Sequence, residues 1–138
     1  MRLGLIADVH GNRPALEAVV AEASVDAWIC AGDVVGYYPD ANQVCDILQD
    51  ARAWVVRGNH DAYVTGAMEP DPDRVEAYKS DWTRSQLTEA NLRWLTSLPV
   101  EISFSFAAKE IRVRHASPWD EETYIYPDSM DLLQRIVP

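Results

Sequence analysis

What this sequence has little of already narrows the class of protein. It has only two cysteines in 138 residues, and Cys30 and Cys45 each lie in an apolar or helical pattern typical of free thiols. A disulfide between them is the less favoured alternative. No apolar stretch approaches the roughly 20 residues that span a membrane, and the first apolar run meets Asp8 too early to be a secretory signal. We therefore expect a cytoplasmic protein with no membrane partner.

Positive charge is also scarce. Twelve Lys and Arg residues stand against 22 Asp and Glu residues, for a formal net charge of -10. Because affinity for nucleic acid depends on Lys and Arg contacts to phosphates, this balance argues against bulk nucleic acid as a partner. It allows a small phosphate ester as substrate, since bound divalent ions invert the local field. The chain shows no repeat, low-complexity segment or linker, so residues 1–138 are predicted to form one domain.

In the first half of the chain, short apolar runs alternate with segments of helical periodicity. The apolar runs that predict strands are 3–7, 27–31 and 54–56. Each segment between them has an apolar stripe at helical spacing and predicts an amphipathic helix. This alternation is typical of an α/β fold with a largely parallel sheet covered on both faces.

The second half predicts a different arrangement. Helical spacing between residues 75 and 98 predicts two further helices, with Thr88 as the N-cap of the second. Alternating apolar residues on both sides of Ala108 and Lys109 predict a hairpin. Residues 128–136 can form about two helical turns.

The three histidines of the chain all belong to four polar blocks, each of which follows an apolar run. The blocks are Asp8-Val9-His10, Gly32-Asp33-Val34-Val35-Gly36-Tyr37, Gly58-Asn59-His60-Asp61 and His115-Ala116-Ser117-Pro118. In sheets of this kind, ligands bind at the carboxyl ends of the strands. We therefore expect the four blocks to share one cleft.

The residue types in these blocks suit a pair of divalent metal ions. Asp8 and His10 are two residues apart, and in an extended strand end both side chains point the same way and can share one ion. Asp33 can bridge two ions with its two oxygens, while Asn59 and His115 can bind the second ion. Two-metal sites stabilise the attacking and leaving oxygens in phosphoryl transfer, so the blocks predict a metal-dependent phosphoesterase.

His60 and Asp61 are the candidate catalytic residues. His60 can protonate the leaving alkoxide or bind phosphate, with Asp61 fixing the tautomer of its ring. Tyr37 either borders the cleft or packs on its neighbours. Each block alone has an ordinary explanation, since Gly-Asn-His-Asp is an acceptable turn, but four blocks at successive strand ends favour a site.

These blocks resemble the calcineurin-like metallophosphoesterase superfamily, and most of all its small bacterial and archaeal phosphodiesterase branch. The resemblance implies a four-layer α/β/β/α sandwich and hydrolysis by a metal-bound hydroxide. It also implies a pair of divalent ions, with Mn first and Fe, Zn or Ni as alternatives. By matching position, the first ion would be bound by Asp8 and His10, Asp33 would bridge, the second ion would be bound by Asn59 and His115, and His60 would assist the leaving group.

The sequence departs from this family at two points. Ala116 stands where the family usually has glycine, and we expect this substitution to tighten or shift the loop behind His115. The Gly-His-x-His segment, from which each ion draws one ligand in the family, does not occur. We therefore expect a C-terminally truncated sandwich with weak metal binding, whose exposed apolar edge favours homo-oligomers.

The predicted function is metal-dependent hydrolysis of phosphodiesters or phosphomonoesters. The alternative is a catalytically silent interaction scaffold built on the same sandwich. Keeping His60 and Asp61 favours the enzyme, because a scaffold does not need a positioned general acid.

Overall fold

A computed structural model of the protein describes residues 2–136. Its elements in chain order are β1 (Leu3–Ile6), α1 (Arg13–Glu22), β2 (Ala27–Cys30), α2 (Ala41–Asp50), β3 (Trp54–Val55), α3 (Asn59–Thr65), α4 (Val75–Tyr78), α5 (Ser80–Gln86), α6 (Glu89–Thr96), β4 (Glu101–Phe106), β5 (Lys109–Arg114) and α7 (Met130–Ile136).

The first sheet is parallel, with its strands in the order β1-β2-β3. Leu3 pairs with Ala27 at the start of the ladder, and Cys30 pairs with Val55 at its end. Helices α1 and α2 connect these strands, so the predicted alternation of strand and helix is confirmed. Because the strands are parallel and in order, their carboxyl ends meet at one edge of the sheet.

The second sheet is the predicted antiparallel hairpin, with register from Glu101 opposite Arg114 to Phe106 opposite Lys109. Its turn is formed by Ala107 and Ala108, one residue earlier than expected, and their φ angles are 49° and 61°. Positive φ at both central residues matches the right-handed twist of the two strands. The hairpin therefore adopts a turn that ordinarily uses Asn-Gly.

The two sheets pack face to face. Ile29 and Val56 of the first sheet form a cluster with Val113, and Ile102 and Phe104 pack against it. The other face of the first sheet is covered by α1, α2 and α6 through a second cluster that includes Leu16, Val44, Leu48 and Leu95. The layers run helix, sheet, sheet, which confirms the α/β fold class. Ser103, Ser105 and Arg112 are exposed on the outer face of the hairpin.

The helices after β3 differ from the prediction in two ways. Residues 59–65 form α3, a helix that the sequence analysis did not predict. Residues 75–96 form three helices instead of two, because Lys79 has a φ of +59° and separates α4 from α5. Thr88 does cap α6, since its hydroxyl accepts the backbone N–H of Asn91 at 3.2 Å. Helices α5 and α6 pack against α2 and α3.

Two further expectations can be compared with the structure. Cys30 and Cys45 are both buried free thiols, so the disulfide alternative is wrong. Within residues 2–136, no helix is long and apolar enough to cross a membrane.

Candidate metal centre

The four polar blocks meet at the carboxyl ends of the strands. Asp8 follows β1, Asp33 follows β2, Asn59 begins α3 after β3, and His115 follows β5. Backbone hydrogen bonds hold the first two blocks side by side. The N–H of Asp8 donates to Gly32 O at 3.1 Å, and the N–H of His10 donates to Asp33 O at 2.9 Å. The prediction that the four blocks come together at one edge of the sheet is therefore confirmed.

Asp33 lies at the centre of the site and is only 3% exposed. Its Oδ2 is 3.6 Å from Nε2 of His10, and its Oδ1 is 3.6 Å from Nε2 of His115. The backbone N–H of His60 donates to Oδ1 at 2.9 Å and fixes the carboxylate in this position. Each oxygen of one carboxylate therefore faces a different imidazole.

The other ring nitrogen of each imidazole sets its tautomer. Nδ1 of His115 lies 2.8 Å from the carbonyl oxygen of Ala31, and Nδ1 of His10 lies 3.4 Å from that of Val35. Because a carbonyl oxygen only accepts, Nδ1 carries the hydrogen in both rings. The Nε2 lone pairs of both histidines are therefore directed at Asp33.

Lone pairs converge in the same way around His115. Its Nε2 is 3.0 Å from Oδ1 of Asn59, and the amide nitrogen of Asn59 points away and donates to the Tyr63 hydroxyl at 3.3 Å. An imidazole nitrogen, an amide oxygen and an oxygen of Asp33 thus face one another, and a cation can satisfy all three. Nitrogen and oxygen donors of this kind fit Mn, Fe, Zn or Ni.

A matching position lies on the other side of Asp33. Nε2 of His10 is 3.8 Å from Oδ1 of Asp8, whose side chain is exposed, and 3.6 Å from Oδ2 of Asp33. Asp33 belongs to two sets of possible ligands, and within each set the donor atoms lie within 4.8 Å of one another. One set adds His10 and His60, and the other adds Asp8 and His115. The geometry therefore also admits His60 as a ligand, and it leaves Asp8 within reach of either position.

Burial sets the protonation of the central groups. It raises the pKa of Asp33 to about 8, and the negative charges of Asp61 and Asp8 add to this rise. It lowers the pKa of His60 to about 4, and the neighbouring imidazoles add to this fall. His60 is therefore neutral at neutral pH, while a bound cation would oppose the rise at Asp33.

The ring of His60 is surrounded by aromatic rings. Its centroid lies 4.7 Å from those of His10 and Tyr37, and 4.5 Å from that of Tyr78. Of the two alternatives for Tyr37, the structure therefore shows the one in which it borders the site. Within residues 2–136, the ring nitrogens of His60 form no protein hydrogen bond, so they are available to a ligand.

Asp61 has a different role from the one expected. It is fully buried, its Oδ1 accepts the N–H of Val35 at 3.1 Å, and its Oδ2 accepts the N–H of Gly58 at 2.9 Å. As the third residue of α3, its side chain reaches back to the N-cap instead of to the adjacent His60. The prediction that Asp61 fixes the tautomer of His60 is wrong, and Asp61 instead joins two of the polar blocks.

The backbone at the candidate ligands is left-handed. Asp8, His10 and Asp33 have φ angles of 56°, 51° and 54°. The expectation that Asp8 and His10 converge because the backbone is extended is therefore wrong, since a turn brings them together. Each such residue costs about 1 kcal/mol or more, and conformations of this kind cluster at functional sites.

Gly58 allows two of the blocks to approach closely. A Cβ on Gly58 would overlap the carboxylate and the backbone nitrogen of Asp33. A Cβ on Gly32 would lie 2.8 Å from the backbone of Gly58 and from Nδ1 of His115. The site is therefore assembled by direct packing of one backbone on another, which only glycine permits here.

The loop after His115 contributes residues that the sequence did not indicate. Acidic residues in a loop are usually solvated charges. Instead, Glu121 accepts two hydrogen bonds from the guanidinium of Arg57, at 2.8 and 3.0 Å, and Glu122 accepts from the hydroxyl of Tyr63. Tyr63 lies four residues after Asn59 and shares its helix face. The spacing indicates this contact only if residues 59–65 are known to form a helix.

A two-sheet α/β fold with nitrogen and oxygen donors for two cations at its strand ends is the arrangement of metal-dependent phosphoesterases. A family model described as calcineurin-like phosphoesterase matches residues 1–134. The chain belongs to this family.

Individual relatives agree with this assignment. An uncharacterised protein of Methanocaldococcus jannaschii is 32% identical over 135 residues, which are 94% of this chain and 56% of the relative. The crystal structure of a metallophosphoesterase from Sphaerobacter thermophilus is 35% identical, with a TM-score of 0.73 over 91% of this chain and 51% of that one. A hypothetical protein from Pyrococcus horikoshii shares the fold at 20% identity and a TM-score of 0.75, over 98% of this chain and 65% of that one. The chain thus spans about half the length of the first two.

Proposed function

We propose that this chain forms the ligand-bearing part of a phosphodiesterase that requires two divalent metal ions, with phosphomonoesters as the alternative substrates. The observation that supports this most directly is the position of Asp33. Its two oxygens lie 3.6 Å from the Nε2 atoms of two different histidines, as expected of a bridging carboxylate. The substrate class is a small phosphate ester.

In this proposal, Asp8 and His10 hold one ion, Asn59 and His115 hold the other, and Asp33 lies between them. Mn²⁺ is the preferred ion, and Fe, Zn and Ni suit the same donors. When bound, the two ions polarise the phosphate and lower the pKa of the attacking water.

His60 acts on the substrate as a neutral hydrogen-bond donor. Burial lowers its pKa to about 4, so at neutral pH its ring is an imidazole, which favours phosphate binding over proton donation to the leaving group. The rings of Tyr37 and Tyr78 pack against it, the first tilted by 37° and the second edge-on at 65°. The orientation of His60 thus depends on aromatic packing, while Asp61 holds the loop on which it lies.

The test is hydrolysis of bis(p-nitrophenyl) phosphate with Mn²⁺ by the wild-type chain and by Asp33→Asn. We expect slow, Mn²⁺-dependent hydrolysis that the substitution abolishes, because Asp33 directs one oxygen toward each of the two ion positions. Asp73→Asn is the matched control, since Asp73 is exposed and lies on a loop. Equal rates for wild type and Asp33→Asn would contradict the proposal. Absence of both metal binding and hydrolysis in the wild type would support the silent interaction scaffold.

A further inference from the structure

We propose that Tyr63 and Glu122 are positioning residues that determine the orientation of the carboxamide group of Asn59. They keep its oxygen directed at the second ion position and its nitrogen away from it. The inference rests on the proposed function only in assigning Asn59 to a metal ion. Neither residue touches the donor atoms of the site, and both act through Asn59.

Two hydrogen bonds and one close approach of two polar atoms carry the inference. Glu122 accepts from the hydroxyl of Tyr63, that hydroxyl accepts from Nδ2 of Asn59 at 3.3 Å, and Oδ1 of Asn59 lies 3.0 Å from Nε2 of His115. Asn59 and Tyr63 are 4% and 8% exposed, so water cannot easily replace either partner.

The direction of these bonds follows from counting hydrogens. A tyrosine hydroxyl has one hydrogen, and an ionised carboxylate only accepts, so Tyr63 donates its hydrogen to Glu122. Only lone pairs of the hydroxyl oxygen then remain for Asn59, whose amide group must present its N–H. The carboxamide oxygen is thereby turned toward His115. Burial and the bond to Glu122 both raise the pKa of Tyr63, so the hydroxyl keeps its hydrogen.

The opposite orientation would close the metal position. If the carboxamide were reversed, Nδ2 of Asn59 would donate to the Nε2 lone pair of His115 and occupy the electron pair that a cation needs. That arrangement would pair the Nε2 lone pair of His115 in the metal-free protein, and it would be favoured if no other contact fixed the orientation of Asn59. Tyr63 and Glu122 therefore exclude the orientation that competes with metal binding.

The position of Glu122 is itself fixed by the loop that follows His115. The N–H of Glu122 donates to the side chain of Asp120 at 2.9 Å, and the N–H of Asp120 donates to the hydroxyl of Ser117 at 3.0 Å. Arg57 holds the adjacent Glu121 through two hydrogen bonds. The loop thus connects the last polar block to α3 through one defined hydrogen bond.

The test is a nitrogen–nitrogen scalar coupling across a hydrogen bond, measured by NMR on ¹⁵N-labelled, metal-free protein at pH 8. We expect no coupling between Nδ2 of Asn59 and Nε2 of His115 in the wild type. Tyr63→Phe removes the acceptor, so the carboxamide should reverse and the coupling should appear. Glu122→Ala should also produce it, because the freed hydroxyl of Tyr63 can then donate to Oδ1 of Asn59. Tyr126→Phe is the matched control, since Tyr126 is 59% exposed on the loop that follows His115.

The second measurement is the affinity for Mn²⁺ by calorimetry, which we expect to fall about tenfold or more in Tyr63→Phe and Glu122→Ala but not in Tyr126→Phe. A coupling already present in the wild type, or absent from both variants, would overturn the inference. Glu122→Ala alters an exposed side chain and keeps the Tyr63 ring, so its result does not depend on packing. If no variant and no wild-type protein binds Mn²⁺, the proposed function fails, while the coupling still decides the orientation of Asn59.

Discussion

The metal-free protein should become less stable as the pH rises from 5 to 7, and the carboxyl group of Asp33 should be a principal cause. Burial raises the pKa of Asp33 from 3.8 to about 8. Within this window the folded protein therefore holds a proton that the unfolded chain has already lost. Because the folded state binds more protons, stability falls with rising pH.

The size of the effect follows from the same shift. Each pH unit between the unfolded and folded pKa values changes the free energy of unfolding by about 1.4 kcal/mol, so two units give about 3 kcal/mol. Asp33→Asn removes this loss, because the carboxamide is neutral and can donate an N–H to the Nε2 lone pair of His10 or His115. The variant should gain stability relative to wild type by about 3 kcal/mol between pH 5 and pH 7.

Urea unfolding with EDTA at pH 5, 6 and 7 measures this difference. Two other groups also change stability with pH: Asp61, whose pKa is raised to about 6, and His60, whose pKa is lowered to about 4. Both residues are present in wild type and in Asp33→Asn, so their contributions to the stability difference cancel to first order. Asp73→Asn should follow the wild-type curve. A constant stability difference between wild type and Asp33→Asn would show that Asp33 is ionised in the metal-free protein and would refute the reasoning.

Three further predictions concern the loops of the site. Gly58→Ala should abolish Mn²⁺ binding measured by calorimetry, because the new Cβ overlaps the Asp33 carboxylate, and unchanged affinity would contradict the packing described above. Ala116→Gly should raise the free energy of unfolding in urea by about 0.5–1 kcal/mol, since Ala116 has a φ of +57°, whereas a loss of stability would show that this strain is relieved elsewhere. His60→Asn should keep Mn²⁺ binding and lower the rate of bis(p-nitrophenyl) phosphate hydrolysis by about 100-fold or more. Loss of Mn²⁺ in that variant would instead assign His60 as a ligand.

The strands and the location of the site could be predicted because both depend on short-range patterns. Apolar runs of strand length ended at Asp33 and before Asn59, and parallel strands bring such ends together wherever the helices between them lie. The resemblance to a known family added the pairing of residues to ions. The structure brings those residues together, and their roles in binding ions remain predictions.

The details that could not be predicted depend on backbone conformation or on long-range contacts. The left-handed φ angles of Asp8 and His10 arise from hydrogen bonds to a neighbouring loop, which no local pattern indicates. The helix beginning at Asn59 was missed because Gly-Asn-His-Asp also suits a turn, although Asp61 at its third position and Gly66 at its end are helix signals.

The loop after His115 shows the same limit more clearly. Glu122 and Tyr63 are 59 positions apart, and Glu121 and Arg57 are 64 apart. Acidic residues in a loop usually remain in solvent, so composition alone does not indicate these contacts. Only the packing of the second sheet on the first brings this loop to α3, and with it the residues that orient Asn59.

The central claim is that Asp33 joins two divalent ions at the ends of the strands. Its most direct test is Mn²⁺ binding to this chain by calorimetry, with the bound metal counted by elemental analysis, in wild type, Asp33→Asn and Asp73→Asn. We predict weak but saturable binding to wild type and Asp73→Asn, and none to Asp33→Asn. Stoichiometric Mn²⁺ in Asp33→Asn, or no saturable binding to the wild type, would contradict the account.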